Sequence, residues 1–297
     1  MDQTHHDVIV IGGSYSGCAA ALQLLRAHRR VCVIDAGERR NRTVPHSHGF
    51  ITQDGVDPAA LATAARADLH AYPTLTWKDD TAIDARQTET GFEITLHDET
   101  RVTSAKLILA TGVRDILPDI PGLAERWGDT VAACPYCHGY ECAQGPIAVI
   151  GTGPGSEHQA QLLAEWGQVD FLTQGLVPLD EAMRADLERR EVTIRDTPVT
   201  AITGRATVSL SDGSTQSYNG IFTATTFAPS SPIPAQLGCE MAENPMGQII
   251  TVDEMQATSV PGVFACGDAA TFMASVSIAV GKGALAGIAC HRDLVFG

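Results

Sequence analysis

Twice in this chain a β-branched strand runs into a glycine-rich turn and then into a helix, and that repeat limits the fold more than any other feature. The first copy reads DVIVIGGSYSG from Asp7 to Gly17. A helix of small residues and leucine follows from Cys18 to Ala27, then a second buried strand, RVCVID, from Arg30 to Asp35. Strand, turn, helix and strand within about 30 residues, closed by an acidic side chain, is a βαβ unit of the dinucleotide-binding type. Its glycines let the backbone approach a pyrophosphate, and the helix N-terminus turns N–H groups toward the anion. Gly12 and Gly17 fit the GxGxxG spacing, while Ser14 stands where the middle glycine is usual. The second copy comprises a strand from Pro146 to Gly151, the turn GTGPGS to Ser156, a helix from Glu157 to Trp166, and a strand from Val169 to Thr173. Two such units predict an α/β fold of two nucleotide-shaped domains.

A length of 297 residues suits two domains at about 100–200 residues each. Between the copies, Leu61, Ala65 and Leu69 recur at helical spacing within 57–70, residues 74–85 and 91–97 read as strands, and Lys106 to Thr111 is a further buried strand. Two stretches have linker composition: Arg114 to Pro121, and the Asn, Pro and Gly of Ala242 to Gly247. Beyond the second copy come a charged helix over 180–191, short strands up to about Phe227, a turn and strand in VPGVFACGD from Val260 to Asp268, and an Ala- and Gly-rich helix from Ala274 to Asp293. The net charge of −15 without a basic tract argues against nucleic acid and anionic membrane as partners. No apolar run reaches the roughly 18 residues needed to span a bilayer, and no leader pattern opens the chain, so a cytoplasmic address is expected.

Of the eight cysteines, only Cys134, Cys137 and Cys142 cluster, in CPYCHGYEC. Three chemistries compete for that stretch. A CxxC pair stores two electrons by closing and opening a disulfide. CxxCH is the attachment signal for c-type haem, which requires export to an oxidising compartment. Cys134, Cys137, His138 and Cys142 also supply four donors for zinc, provided a special turn lets adjacent Cys137 and His138 share one metal.

Taken in order, GGSYSG, the ATG of Ala110 to Gly112, CPYC, GTGPGS and VFACGDAA resemble the low-molecular-weight thioredoxin reductase family of flavoproteins over essentially the full chain. The resemblance implies two Rossmann-like, three-layer, dinucleotide-binding domains, the second inserted into the first. The FAD-binding domain would comprise 1–115 and 245–297, and a nicotinamide-type domain carrying the CxxC would comprise 116–244. By position, Gly12, Gly13, Ser14, Tyr15, Ser16 and Gly17 would cradle the FAD pyrophosphate and Asp35 the adenosine ribose. Ala36, Gly37, Arg40, Asn41, Gln53, Thr111, Gly112, Val276 and Ser277 would line the cofactor. Asp268 would hold the ribityl chain or a phosphate, with Gly267 allowing close approach. Cys137 would face the flavin and Cys134 the substrate, leaving no metal site. A homodimer is implied as well.

Two departures from the family pattern bear on function. Where the family places paired arginines for the NADPH 2′-phosphate, this chain reads Thr173-Gln174-Gly175, which puts NADPH use in question, because glutamine cannot replace that charge. Ser275-Val276 likewise replaces an arginine–glutamine pair. Where the reductases place an aspartate after the second cysteine, this chain has His138, in CxxCHGxE form, a side chain suited to proton transfer near neutrality. That motif, with HSHGFITQDG from His46 to Gly55 as a loop expected near the flavin, is similar to the FAD-dependent dithiol oxidases of disulfide natural-product pathways. The favoured expectation is therefore oxidation of a small dithiol, with oxygen as acceptor. The alternatives are an NAD(P)H-dependent reductase of a thioredoxin-like protein, and a non-catalytic zinc-binding or flavin-sensing protein.

Overall fold

The computed structural model describes residues 5–153 and 155–297. Pro154, in the second glycine turn, lies outside the described residues. Contacts divide the chain into two units: unit 1 holds the residues up to Arg42, Phe50–Arg114 and Phe227–Gly297, and unit 2 holds Thr43–Gly49 and Asp115–Thr226.

Unit 1 opens with β1 (His5–Ile11), α1 (Tyr15–Arg26), β2 (Val31–Asp35), α2 (Pro58–His70) and β3 (Leu75–Asp79), then β4 (Ala82–Thr88), β5 (Gly91–Leu96) and β6 (Arg101–Leu109). The chain leaves it through β7 (Val113–Ile116). Unit 2 contains β8 (Val131–Ala132), α3 (Pro135–Cys142), β9 (Ile147–Ile150), α4 (Ser156–Leu163), β10 (Val169–Leu172), α5 (Glu181–Arg189), β11 (Thr193–Arg195), β12 (Val199–Thr203), β13 (Thr207–Leu210), β14 (Thr215–Ser217) and β15 (Gly220–Thr223). The chain returns with β16 (Thr226–Pro229), α6 (Ile233–Gln236), β17 (Met241–Asn244), β18 (Gly247–Ile250), β19 (Val263–Ala265) and α7 (Val276–Phe296).

The main sheet of unit 1 has the order β3-β2-β1-β6-β5-β4. β6 is shared along its length, with its first half antiparallel to β5 and its last residues parallel to β19. Alternation along the strands gives each face its own core. Val8, Val10, Val31 and Val33 pack with α1 and α7, whereas Ile9, Ile11, Cys32 and Ile34 pack with residues of β4, β5 and α6. Unit 2 repeats the scheme on a parallel sheet, β11-β10-β9-β15-β8. Ile147, Val149 and Phe171 face α4 and α5, and Ala148, Ile150 and Leu172 face the β12-β13-β14 meander. Both units are thus three-layered α/β.

The structure departs from the sequence reading at several joints. Ala242 to Gly247 is no linker but spans the end of β17, the hairpin turn and the start of β18, so residues 227–244 cluster with unit 1. Asn244 Oδ1 accepts from the N–H groups of Met246 (2.8 Å) and Gly247 (3.2 Å), closing a tight turn whose Asn and Gly also suit a loop. The expected strand over 74–85 is two strands, broken where Asp80 Oδ1 accepts from the Thr81 N–H at 2.6 Å. The first helix begins at Tyr15, three residues before the expected start. Arg114 to Pro121 begins as a strand, β7, rather than as open linker.

Candidate active site

In unit 1 the glycine turn and the expected cofactor residues meet at the carboxyl ends of four parallel strands. Gly12 follows β1, Asp35 ends β2, Thr111 follows β6, and Gly267 follows β19. This is the edge of an open α/β sheet at which ligands bind. Gly12 has φ +102°, and a Cβ there would lie 2.2 Å from the Ala110 carbonyl oxygen, so only glycine fits. Ser14 is tolerated in the middle position because its φ is −83°, an ordinary value. The Gly13 N–H donates to Asp35 Oδ1 at 3.1 Å, tying the turn to the end of β2. Asn41 Nδ2 donates to the Tyr15 hydroxyl at 3.2 Å, which in turn donates to the Pro58 carbonyl at 3.1 Å.

Ser16 and Gly17 are buried, and a Cβ at Gly267 would come within 2.4 Å of Ser16 Oγ. Arg40 Nη1 donates to Asp268 Oδ2 at 2.8 Å, with its guanidinium 5.7 Å from the Phe227 ring centre. Thr111 Oγ1 is buried with no hydrogen-bond partner, and a Cβ at neighbouring Gly112 would meet open space. Val276 is half-buried and opens α7, whose N-cap Ser275 Oγ accepts from the Ile278 N–H at 3.1 Å. Ala36, Gly37, Gln53 and Ser277 are exposed. Trp77 escaped the sequence reading: a Cβ at Gly13 would strike it at 2.5 Å, so its ring closes over the turn from β3.

In unit 2 the two clustered cysteines form a disulfide, Cys134–Cys137, with Cα atoms 5.3 Å apart. Cys134 is the N-cap of α3, Pro135 occupies its first turn, and the Cys137 N–H donates to the Cys134 carbonyl at 3.2 Å. Proline suits that place because its missing N–H is unpaired there in any helix. A helix N-terminus also favours a thiolate when the disulfide opens. Gln159 of α4 donates to the Ala133 carbonyl at 2.6 Å and so secures the residue before Cys134. Gly139 lets α3 lie on Trp166, which a Cβ would meet at 3.1 Å, and Tyr136 stands edge-on to that ring at 5.6 Å between centres.

His138 is half-buried, and burial lowers its pKa below the usual histidine value; the Glu141 carboxylate opposes the shift and His48 adds to it. His48 Nε2 lies 3.5 Å from Glu141 Oε1. Thr43–Gly49, which includes the first four residues of the loop expected beside the flavin (His46 to Gly55), belongs to unit 2 and reaches α3 through His48. Only the three-dimensional packing brings His48 to Glu141. Cys142 Sγ points elsewhere, against Gly220 of β15, where a Cβ would lie 2.3 Å from it, and burial raises its pKa. Among the described residues, no three His, Cys, Asp or Glu side chains converge as metal ligands, so the four donors of the zinc alternative are not gathered.

The second glycine turn is open. Gly153 (φ +150°) and Gly155 (φ +91°) need glycine for conformation alone, since a Cβ at either meets nothing within 4 Å. The residues after β10 are engaged internally. Thr173 Oγ1 donates to Asp196 Oδ1, and Gln174 Nε2 donates to the Gly151 carbonyl at 2.8 Å. Gln174 Oε1 accepts from the Val199 N–H at 3.2 Å. Arg195, whose carbonyl accepts from the Thr173 N–H, is paired through its side chain with Asp170. Glu157 places a carboxylate in the first turn of α4.

The family model described as pyridine nucleotide-disulphide oxidoreductase matches residues 6–283. An oxidoreductase structure from Agrobacterium tumefaciens is 45% identical, covers 99% of each chain and superimposes with a TM-score of 0.96. The structure of HlmI is 34% identical over 99% of this chain and 94% of its own, with a TM-score of 0.93. Thioredoxin reductase aclD of Aspergillus oryzae is 30% identical over 98% of this chain and 96% of its own length.

Proposed function

The chain belongs to the pyridine nucleotide-disulphide oxidoreductase family, and from that premise we propose that this thioredoxin reductase-like, FAD-dependent enzyme works mainly as a dithiol oxidase with oxygen as final acceptor. The observation that carries the direction is the turn after β10. It has no cation, and its Thr173 and Gln174 side chains are spent on Asp196, Gly151 and Val199. A 2′-phosphate is normally met by arginine in a bidentate pair, and none is available from that turn. Glu157 in the first turn of α4 further opposes a phosphate at that helix end.

The residues of unit 1 fit FAD. The unpartnered Thr111 hydroxyl and the open space beside Gly112 leave room for a polar ligand at the strand ends, and the obligatory glycine at 12 brings backbone close to a pyrophosphate. In this reading Gly12–Gly17 hold the pyrophosphate, Asp35 the ribose, and Asp268 with Arg40 the ribityl-phosphate region. When bound, the flavin supplies a two-electron carrier. The protein's own chemistry is thiol–disulfide exchange. A substrate thiol gives its proton to His138 and attacks Cys134 Sγ. The Cys134–Cys137 bond breaks, and its electron pair leaves with Cys137 Sγ, which the start of α3 favours as thiolate. The second substrate thiol then attacks the mixed disulfide, releasing the oxidised substrate and the Cys134 thiol. Burial that keeps His138 neutral suits it to be the base. A homodimer and a cytoplasmic address complete the proposal, the first from the family resemblance and the second from the sequence.

A second reading, an NAD(P)H-dependent reductase of a thioredoxin-like protein, is favoured by the name of the Aspergillus relative. Anaerobic titration separates the two. Micromolar NADPH should bleach the flavin poorly and a suitable dithiol should bleach it fast. Rapid bleaching by NADPH followed by turnover with thioredoxin would overturn the oxidase direction.

A further inference from the structure

Glu141 and His48 have no part in the exchange steps above, yet both act on the base that does. Glu141 lies one helical turn after His138 on α3, so the two side chains share a face. His48 arrives from Thr43–Gly49 and sets its Nε2 3.5 Å from Glu141 Oε1. That segment is held closely in unit 2. Ser47 is buried, and a Cβ at Gly128, whose φ is +89°, would come within 2.3 Å of Thr43 Oγ1. The Glu141 side chain is 44% exposed, so an ion pair to it adds little to stability. Its consequence is local. Glu141 raises the pKa of His138 and His48 lowers it, so the two act on that ring with opposite sign.

We infer that His48 is a positioning residue for the dithiol exchange, holding the Glu141 carboxylate where it backs the His138 imidazole as that ring takes up the substrate proton. A carboxylate orienting and supporting an imidazole that must become cationic is a general device for acid–base work. What is specific here is a second imidazole, from a distant part of the chain, that steadies the carboxylate. The inference rests on the proposed function only in requiring that Cys134–Cys137 exchange with a dithiol, in either direction.

The test uses the full-length holoprotein and dithiothreitol as the dithiol. Opening of the disulfide is followed by acid quench, alkylation and mass spectrometry at a series of pH values. In Glu141→Gln, exchange near neutral pH should slow about three- to tenfold, and the acid limb of the pH–rate profile should move down by about one pH unit. His48→Gln should move that limb the same way by a smaller amount, because a loosened Glu141 supports His138 less. The double variant should go no further than Glu141→Gln alone, the mark of two residues acting in series. A merely structural role would leave the limb in place.

His48→Gln moving the limb to higher pH would mean that His48 acts only as a neighbouring positive charge, and the inference fails. Variant profiles that superimpose on wild type, or an additive double variant, overturn it equally. If the wild-type disulfide itself resists dithiothreitol, the parent reading fails first. Normal opening in wild type with indifferent variants sinks the inference alone.

Discussion

Two glycines of α7, two residues apart and so on roughly opposite faces of the helix, should respond to alanine with opposite signs. A Cβ at Gly283 would lie 2.1 Å from the Ser16 carbonyl oxygen and 2.8 Å from the Ser16 carbonyl carbon and Cα. Ordinary contact begins near 3.4 Å, so α7 and α1 must separate by about 1 Å at that point. Both sides of the clash are backbone, and no rotamer relieves it. Overpacking of this kind costs about 1–3 kcal/mol, and with backbone on both sides the upper end applies. Helix propensity returns about 1 kcal/mol when glycine becomes alanine. Gly283→Ala should therefore lose about 2 kcal/mol, or roughly 4–8 °C in the unfolding midpoint of a domain of this size. The displaced atoms belong to the glycine-turn side of α1, so the variant should also release FAD more readily. Gly281, two residues earlier, is exposed, and a Cβ there meets nothing within 4 Å. Gly281→Ala should gain about 0.5–1 kcal/mol from propensity alone. Thermal unfolding by circular dichroism, with released FAD read by fluorescence, compares the pair. Equal shifts in the two variants would refute the reasoning that α1 and α7 touch backbone to backbone at Gly283.

Thiol labelling gives a second check. Burial pushes the thiols of Cys18 and Cys266 up to about 12 and that of Cys32 to about 11, so alkylation of the native protein near pH 8 should pass over them. Prior reduction should add two labels, at Cys134 and Cys137, and mass spectrometry of tryptic peptides counts them. The two cysteines should also differ in role. Cys134→Ser should abolish turnover while leaving Cys137 able to give long-wavelength absorbance as a thiolate beside the flavin; the band appearing in Cys137→Ser instead would reverse the assignment. His138→Gln should slow dithiol exchange about 10²-fold or more near neutral pH. With burial lowering its pKa, the midpoint of the acid limb of the wild-type rate should lie below pH 6.5, as the ring takes a proton and loses its function as base. A midpoint at or above pH 6.5 would contradict a desolvated imidazole.

Local sequence determined the parts of this protein whose chemistry is local. Strand, turn and helix in DVIVIGGSYSG follow from alternating burial and from a glycine that must sit at φ +102°, so the turn was readable without a structure. CPYC was only partly so: its spacing left a redox disulfide, haem attachment and zinc open, and the structure closes Cys134–Cys137 across the first turn of α3. The Asn-Pro-Met-Gly run read as a linker because hairpin turns and linkers share the same residues, and only the pairing of Met241 with Ile250 tells them apart. Trp77 at the turn and Gln159 behind Cys134 are ordinary residues in sequence, and their positions come from β3 and α4. The tertiary structure also decided what Thr173 and Gln174 do, since their partners Asp196 and Val199 lie just past β11 and at the start of β12. His48 is the clearest case. In sequence it is one of two histidines in a polar loop, and nothing local marks it. Folding places it against Glu141, because a side chain's charge acts through space on whatever packing brings within a few ångströms.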